Sequence, residues 1–88
     1  MADLTMFYLR NCPFCKKAFK YIEQIKAENI ELTDVKINVI EEEEHPEVAN
    51  LFDYYYVPAF YLNGNKLHEG GIFKNEVEVI LRKALNSL

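Results

Sequence analysis

A short apolar run near the amino terminus passes directly into an amphipathic helical pattern, and this succession limits the fold more than any other feature of the chain. Leu4 to Leu9 reads L-T-M-F-Y-L, apolar on both faces apart from Thr5, which suits a short strand in the middle of a sheet. From Cys15 onward, Ala18, Phe19, Ile22 and Ile25 fall on one helical face, while Lys16, Lys17, Lys20, Glu23 and Lys26 fill the other. That spacing predicts a helix to about Glu28. Pro13 fits just before it or in its first turn, where no N–H is needed. Val35, Ile37 and Val39 then alternate with Asp34, Lys36 and Asn38, the pattern of a half-exposed edge strand. Two strands joined by a helix run parallel with a right-handed crossover.

The remaining segments complete the order. Glu41 to Glu44 read as a charged, solvated connection, and His45-Pro46-Glu47 begins a short helix reaching Leu51 or Phe52. Asp53 is expected in the turn after it, with positive φ. Val57 to Leu62 forms a strand, Asn63-Gly64 a hairpin turn, and Lys66 to His68 its short return strand. Gly70-Gly71 breaks the chain before a last helix striped by Phe73, Val77, Ile80, Leu81, Ala84 and Leu88. The expected fold is α/β, ordered β-α-β-α-β-β-α, with a four-stranded mixed sheet flanked by helices on both faces. At 88 residues, one domain over residues 1–88 is expected.

Composition excludes several functions. Half the residues are hydrophobic and 27% are charged, so the chain is globular rather than disordered. The longest apolar run, Tyr54 to Leu62, has Pro58 inside it and is too short to span a bilayer. No secretory leader pattern is present, and a cytoplasmic monomer is expected. The net charge of −4 argues against a nucleic-acid partner, which needs a basic footprint. The charge is uneven: Arg10, Lys16, Lys17, Lys20 and Lys26 face only Glu23 among residues 10–26, whereas Lys36 is the lone base among the acids of residues 28–53.

The two cysteines, Cys12 and Cys15, stand in C-P-F-C. A disulfide scaffold would carry more of them, and a bridge closing so short a loop adds about 2 kcal/mol at best. Zinc needs about four ligands, and His45 and His68 lack the close spacing of a ligand pair, so no metal site is expected. Redox chemistry remains. The pair falls at the carboxyl end of a central strand and the start of a helix, where α/β folds place reactive groups. A thiol ordinarily near pKa ~8.5 ionises more readily against a helix N-terminus. Cys12 occupies that position, with Arg10, Lys16 and Lys17 adding positive potential and no acid between Asp3 and Glu23. Cys15 lies one turn further in and deeper. Cys12 is therefore the attacking thiol and Cys15 the one that resolves the mixed disulfide. Val57-Pro58 is the second informative pair, read as a cis-proline packed against the cysteines that offers the Val57 backbone to a substrate chain.

C-P-F-C after the first strand, V-P about 45 residues on, N-G in the hairpin and G-G before the last helix together resemble the glutaredoxins over nearly the whole chain. The resemblance implies a thioredoxin-like fold and a disulfide oxidoreductase with Cys12 as nucleophile, Cys15 as resolving thiol and a reversible Cys12–Cys15 disulfide. It implies substrate contacts from Arg10, Pro13, Phe14, Tyr56, Val57, Pro58, Gly70 and Gly71. It also implies no tightly bound cofactor, glutathione as co-substrate, and protein or small-molecule disulfides as targets.

Three departures bear on it. Arg10 stands two residues before Cys12, where the family has Lys or Arg three before. Tyr56 replaces the usual Thr, Ser or Arg ahead of V-P. The family's G-G-[CS]-D reads Gly70-Gly71-Ile72-Phe73, which removes a carboxylate for glutathione, a loss of roughly 1.5–3 kcal/mol. Apolar residues there resemble redoxins reduced by thioredoxin reductase. Ile72 and Phe73 either form an apolar collar with Phe14 and the tyrosines or, as expected for Phe73, pack under the last helix. Tyr55 and Tyr56 divide between core and substrate surface. An iron–sulfur carrier of the glutaredoxin type is disfavoured by Pro13, and a non-catalytic interaction module by the intact cysteine pair.

Overall fold

The computed structural model describes residues 3–87. Strand β1 (Leu4–Tyr8) leads into helix α1 (Pro13–Glu28), followed by a 3₁₀ turn (Ile30–Leu32), strand β2 (Ile37–Glu41) and helix α2 (Pro46–Ala49). The β-hairpin of β3 (Ala59–Leu62) and β4 (Asn65–Glu69) precedes helix α3 (Lys74–Asn86). The four strands lie in the order β2-β1-β3-β4, with β1 parallel to β2 and antiparallel to β3. This is the mixed, helix-flanked α/β sheet that the sequence predicts.

Side chains alternate across β1, so each face of the sheet has its own core. Leu4 and Met6 join Phe60 and Leu62 of β3 on one face, where Ala18, Ile22 and Ile25 of α1 and Val77, Ile80, Leu81 and Ala84 of α3 cover them. Phe7, Ala59 and Tyr61 point to the other face, beneath α2 and the segment after it. Phe7 is fully buried there, stacked on Tyr54 at 5.0 Å, tilted against Phe52 at 4.8 Å and edge-on to Tyr61 at 5.8 Å. Aromatic pairs in such geometries add about 0.5–1.5 kcal/mol each beyond area burial.

Several boundaries differ from the sequence expectation. β2 starts at Ile37 rather than near Asp34. Val35 is buried, but in a turn whose N–H donates to Leu32 O at 3.2 Å, so its apolar character reflects core contact without a strand ladder. α2 ends at Ala49, and Leu51 and Phe52 continue with tighter bonds to Val48 O and Ala49 O while Phe52 packs on Phe7. Asp53 lacks positive φ; among the described non-glycine residues only Asn63 of the hairpin, at φ 51°, has it. The Asp53 carbonyl instead accepts the Tyr61 hydroxyl. β3 begins after Pro58, which has no N–H to give to a ladder.

Phe73 is 73% exposed, against the expectation that it packs under α3. It is the extended N-cap residue of α3, at φ −95° and ψ 158°, and alternation there turns Ile72 inward and Phe73 outward. Leu88, expected in the same stripe, lies outside the described residues.

Phe7→Ala is expected to destabilise the protein by about 3–5 kcal/mol in urea unfolding, and Phe7→Leu, which keeps much of the apolar volume but loses the ring pairs, by less than Phe7→Ala. Equal unfolding midpoints for Phe7→Ala and wild type would show that the aromatic layer does not support the fold.

Candidate active site

The carboxyl end of β1 turns sharply into α1. Cys12 N–H donates to Leu9 O at 3.2 Å, and Lys16 N–H to Cys12 O at 3.1 Å. Cys12 is the N-cap of α1, its Sγ accepting from the Cys15 N–H at 3.4 Å, and Pro13 opens the helix where no donor is required. The first turn carries no acid. A sulfur at this place faces the positive end of the helix dipole. Cys12 is partly exposed and Cys15 is buried. Burial, reinforced by the contact with Cys12, pushes the Cys15 thiol up to about 12. The two sulfurs, one turn apart, therefore have opposite character: one accessible at a helix start, one held as a neutral thiol. Both are free thiols in this structure.

An acidic side chain organises the turn. Glu41, at the end of β2, is buried, and its carboxylate accepts the backbone N–H of Arg10 at 3.0 Å together with those of Glu43 and Glu44. Burial opposes its charge, but the three backbone donors and nearby Arg10 outweigh that, and its pKa lies below the ordinary carboxylate value. The acid run is therefore not a uniformly solvated turn: Glu41 points in, and Glu44 pairs with the Arg10 guanidinium. The Arg10 charge offered to a ligand by the sequence reading is given to Glu44 here.

The second wall is the segment before β3. The Val57–Pro58 peptide is cis, and the Val57 carbonyl oxygen faces Cys12 Sγ at 3.8 Å. Gly70 N–H donates to Pro58 O at 3.0 Å. The Glu69 carboxylate accepts the Tyr55 N–H at 2.8 Å and the Tyr56 N–H at 3.2 Å, and pairs with Lys66 Nζ at 2.8 Å. The Lys66 ammonium and the two N–H groups hold the Glu69 pKa down to about 2. Gly70 has φ +90°, a conformation side chains rarely adopt, and a Cβ there would meet Tyr56 Cβ at 3.6 Å. The Phe14 ring lies over Gly71, 3.4 Å from where a Cβ would stand. Phe14, Tyr55, Tyr56 and Phe73 are exposed.

Direct contacts thus connect Cys12, Cys15, Val57, Pro58 and Gly70 in one series, with Tyr56 against Gly70 and Phe14 against Gly71. Pro13 is exposed at the helix start. Glu41 and Glu69 were not legible as site residues: nothing in a run of four acids marks the one that folds inward, and Glu69 sits in a short hairpin strand 13 residues from its nearest amide partner. His68 Nε2 lies 2.8 Å from Gly71 O, also without a sequence signal. Among the described residues no group of His, Cys, Asp and Glu side chains is arranged to hold a metal ion.

The fold is thioredoxin-like. The chain superposes on oxidised thioredoxin from Plasmodium falciparum with a TM-score of 0.70 at 18% identity, covering 93% of this chain and 79% of that one. It is similar to a thioredoxin-like protein from Clostridium perfringens, with a TM-score of 0.65 at 28% identity over 96% of this chain and 71% of that one. A malarial protein matches with a TM-score of 0.68 at 14% identity, over 97% and 98% of the two chains. No protein-family model matches the sequence, and no curated protein does. In this thioredoxin-like frame the cysteine pair lies at the carboxyl end of a central strand, beside the cis-proline segment.

The environments of the two thiols give a direct expectation. Iodoacetamide at about pH 8 adds one label per native molecule, at Cys12, because a thiol raised to about 12 stays protonated until the pH approaches that value. Urea-unfolded protein takes two labels. Mass spectrometry showing both cysteines labelled at equal rates in native protein would contradict the assigned environments. A second expectation concerns acid. Glu69 has its pKa depressed, so its stabilising contribution is complete above the ordinary carboxylate value of about 4.3 and is lost progressively as the pH falls from there through about 2. The urea midpoint of Glu69→Gln should fall below that of wild type at about pH 6, and the two should converge near about pH 2.

Proposed function

We propose that the protein is a glutaredoxin-like thiol–disulfide oxidoreductase that reduces protein or small-molecule disulfides through Cys12 and Cys15. The observation that carries the reading is the pairing of an accessible Cys12 sulfur at a helix start with a buried Cys15 thiol one turn behind it. The Cys12 thiolate attacks one sulfur of the substrate disulfide, forming a mixed disulfide and releasing the other sulfur as a thiolate that takes up a proton. Cys15 then gives up its proton and attacks Cys12 Sγ. That step breaks the mixed disulfide, releases the second substrate thiol and leaves a Cys12–Cys15 disulfide. Two electrons and two protons from an external donor, a dithiol or two thiols that end as a disulfide, restore the Cys12–Cys15 dithiol.

Glutathione is the co-substrate in the glutaredoxin-like version. Reduction by thioredoxin reductase is a second reading, favoured by the start of α3. Phe73 stands there exposed where the glutaredoxin pattern has a carboxylate, and Arg10 is engaged by Glu44. The exposed rings of Phe14, Tyr56 and Phe73 suit a polypeptide surface better than a small charged tripeptide.

Cys12→Ser is expected to abolish disulfide exchange, and Cys15→Ser to accumulate the mixed disulfide, seen as a mass increase of one substrate thiol. Wild-type activity in Cys12→Ser would overturn the assignment. Equilibration of the oxidised protein with millimolar glutathione buffers separates the donors: reduction at about −200 to −230 mV supports glutathione, and a disulfide resisting until about −270 mV supports the reductase.

A further inference from the structure

We propose that Glu69 is a positioning residue for thiol–disulfide exchange, a role that rests on the oxidoreductase reading: its carboxylate fixes the Tyr55–Pro58 segment so that the Val57 backbone is presented beside Cys12. The segment from Asp53 to Pro58 belongs to no strand or helix and needs partners for its amides from elsewhere. Side chains of the hairpin supply them. Glu69 takes the Tyr55 and Tyr56 N–H groups at 2.8 and 3.2 Å, while the next residue, Gly70, donates its own N–H to Pro58 O at 3.0 Å. Two consecutive residues at the end of β4 therefore hold the backbone on both sides of Val57.

Val57 is left between these two holds, with its carbonyl 3.8 Å from Cys12 Sγ. The carboxylate is itself oriented by Lys66, whose Nζ lies 2.8 Å from Oε1, while Oε2 takes the two amides. One oxygen serves the cation and the other the loop. A neutral amide at this position keeps an acceptor for the loop but loses the ion pair. An alanine loses both. Because Glu69 bonds to the tyrosine amides and to Lys66 rather than to either sulfur, its removal should alter how a substrate disulfide is aligned while leaving Cys12 open to small electrophiles.

The test compares wild type, Glu69→Gln and Glu69→Ala by three readouts: amide hydrogen exchange by NMR, reduction of insulin disulfides, and alkylation of Cys12 by iodoacetamide. In Glu69→Ala the Tyr55 and Tyr56 amides should exchange at least about tenfold faster, while those of β1 change less than about twofold. Insulin reduction should fall about tenfold in kcat/KM, with Cys12 alkylation within about twofold of wild type. Glu69→Gln should recover part of both losses.

Unchanged protection of Tyr55 and Tyr56 in Glu69→Ala overturns the clamp. Lost protection with full exchange activity overturns its positioning role. A parallel tenfold fall in alkylation also overturns it, since the effect then runs through the thiol or the fold as a whole. A wild type inactive on every disulfide would refute the oxidoreductase reading and the positioning role with it, while the amide protection still decides the clamp.

Discussion

β1 has its side chains buried on both faces, and the placement of every group near Cys12 follows from that burial. Leu4 and Met6 fix the strand against α1 and α3, and Phe7 fixes it against the aromatic layer on the reverse side. Full burial of a large apolar side chain contributes about 1.5–3 kcal/mol, so a strand held this way on two sides cannot slide without exposing several. The register with β2 puts Tyr8 opposite Glu41, and the register with β3 puts Phe7 opposite Ala59, the residue just after the cis peptide. Two neighbouring strands therefore deliver Glu41 and Val57-Pro58 to the same end of the sheet where the chain leaves β1 for the cysteines.

The two walls of the site are built differently. The Cys12 turn is a continuation of regular structure, closed by backbone bonds and the helix cap. The 53–58 segment is irregular and depends on side chains: Tyr61 hydroxyl to Asp53 O, Tyr54 hydroxyl to Glu42 at 3.1 Å, and the Glu69 carboxylate to the tyrosine amides. Phe52 and Tyr54 anchor its start by burying their rings on Phe7. Burial and the bond to Glu42 raise the Tyr54 hydroxyl well above its ordinary value, so it remains a donor at any physiological pH.

Local patterns were legible wherever periodicity or a special residue type decides the structure. Leu4–Leu9, the α1 stripe, the Asn63-Gly64 turn and the start of α1 at the cysteine pair all follow from apolar spacing, proline and glycine. What sequence could not reveal is which member of a charged or aromatic run turns inward. Glu41 and Glu44 are chemically identical, yet one caps a buried turn and the other meets Arg10 in solvent; long-range contacts make that choice. Phe73 shows the same limit. Its spacing continues the α3 stripe, but the helix begins one residue later, and extended backbone sends the ring outward. The Glu69 contacts join residues from different elements and leave no trace in local pattern.

The sheet has two free edges, and their composition has a bearing on how the molecule behaves in a crowd. β4 carries Lys66, His68 and Glu69, and its pairing with β3 is interrupted by a register shift between Phe60 and Tyr61. β2 carries Asn38 and ends at the acid run. Charges and irregular twist on an outer strand discourage another chain from adding to the sheet. The β4 edge is therefore a poor template for a further strand, whereas β2, with Val39 exposed and its only charge, Glu41, turned inward, is the more open of the two edges.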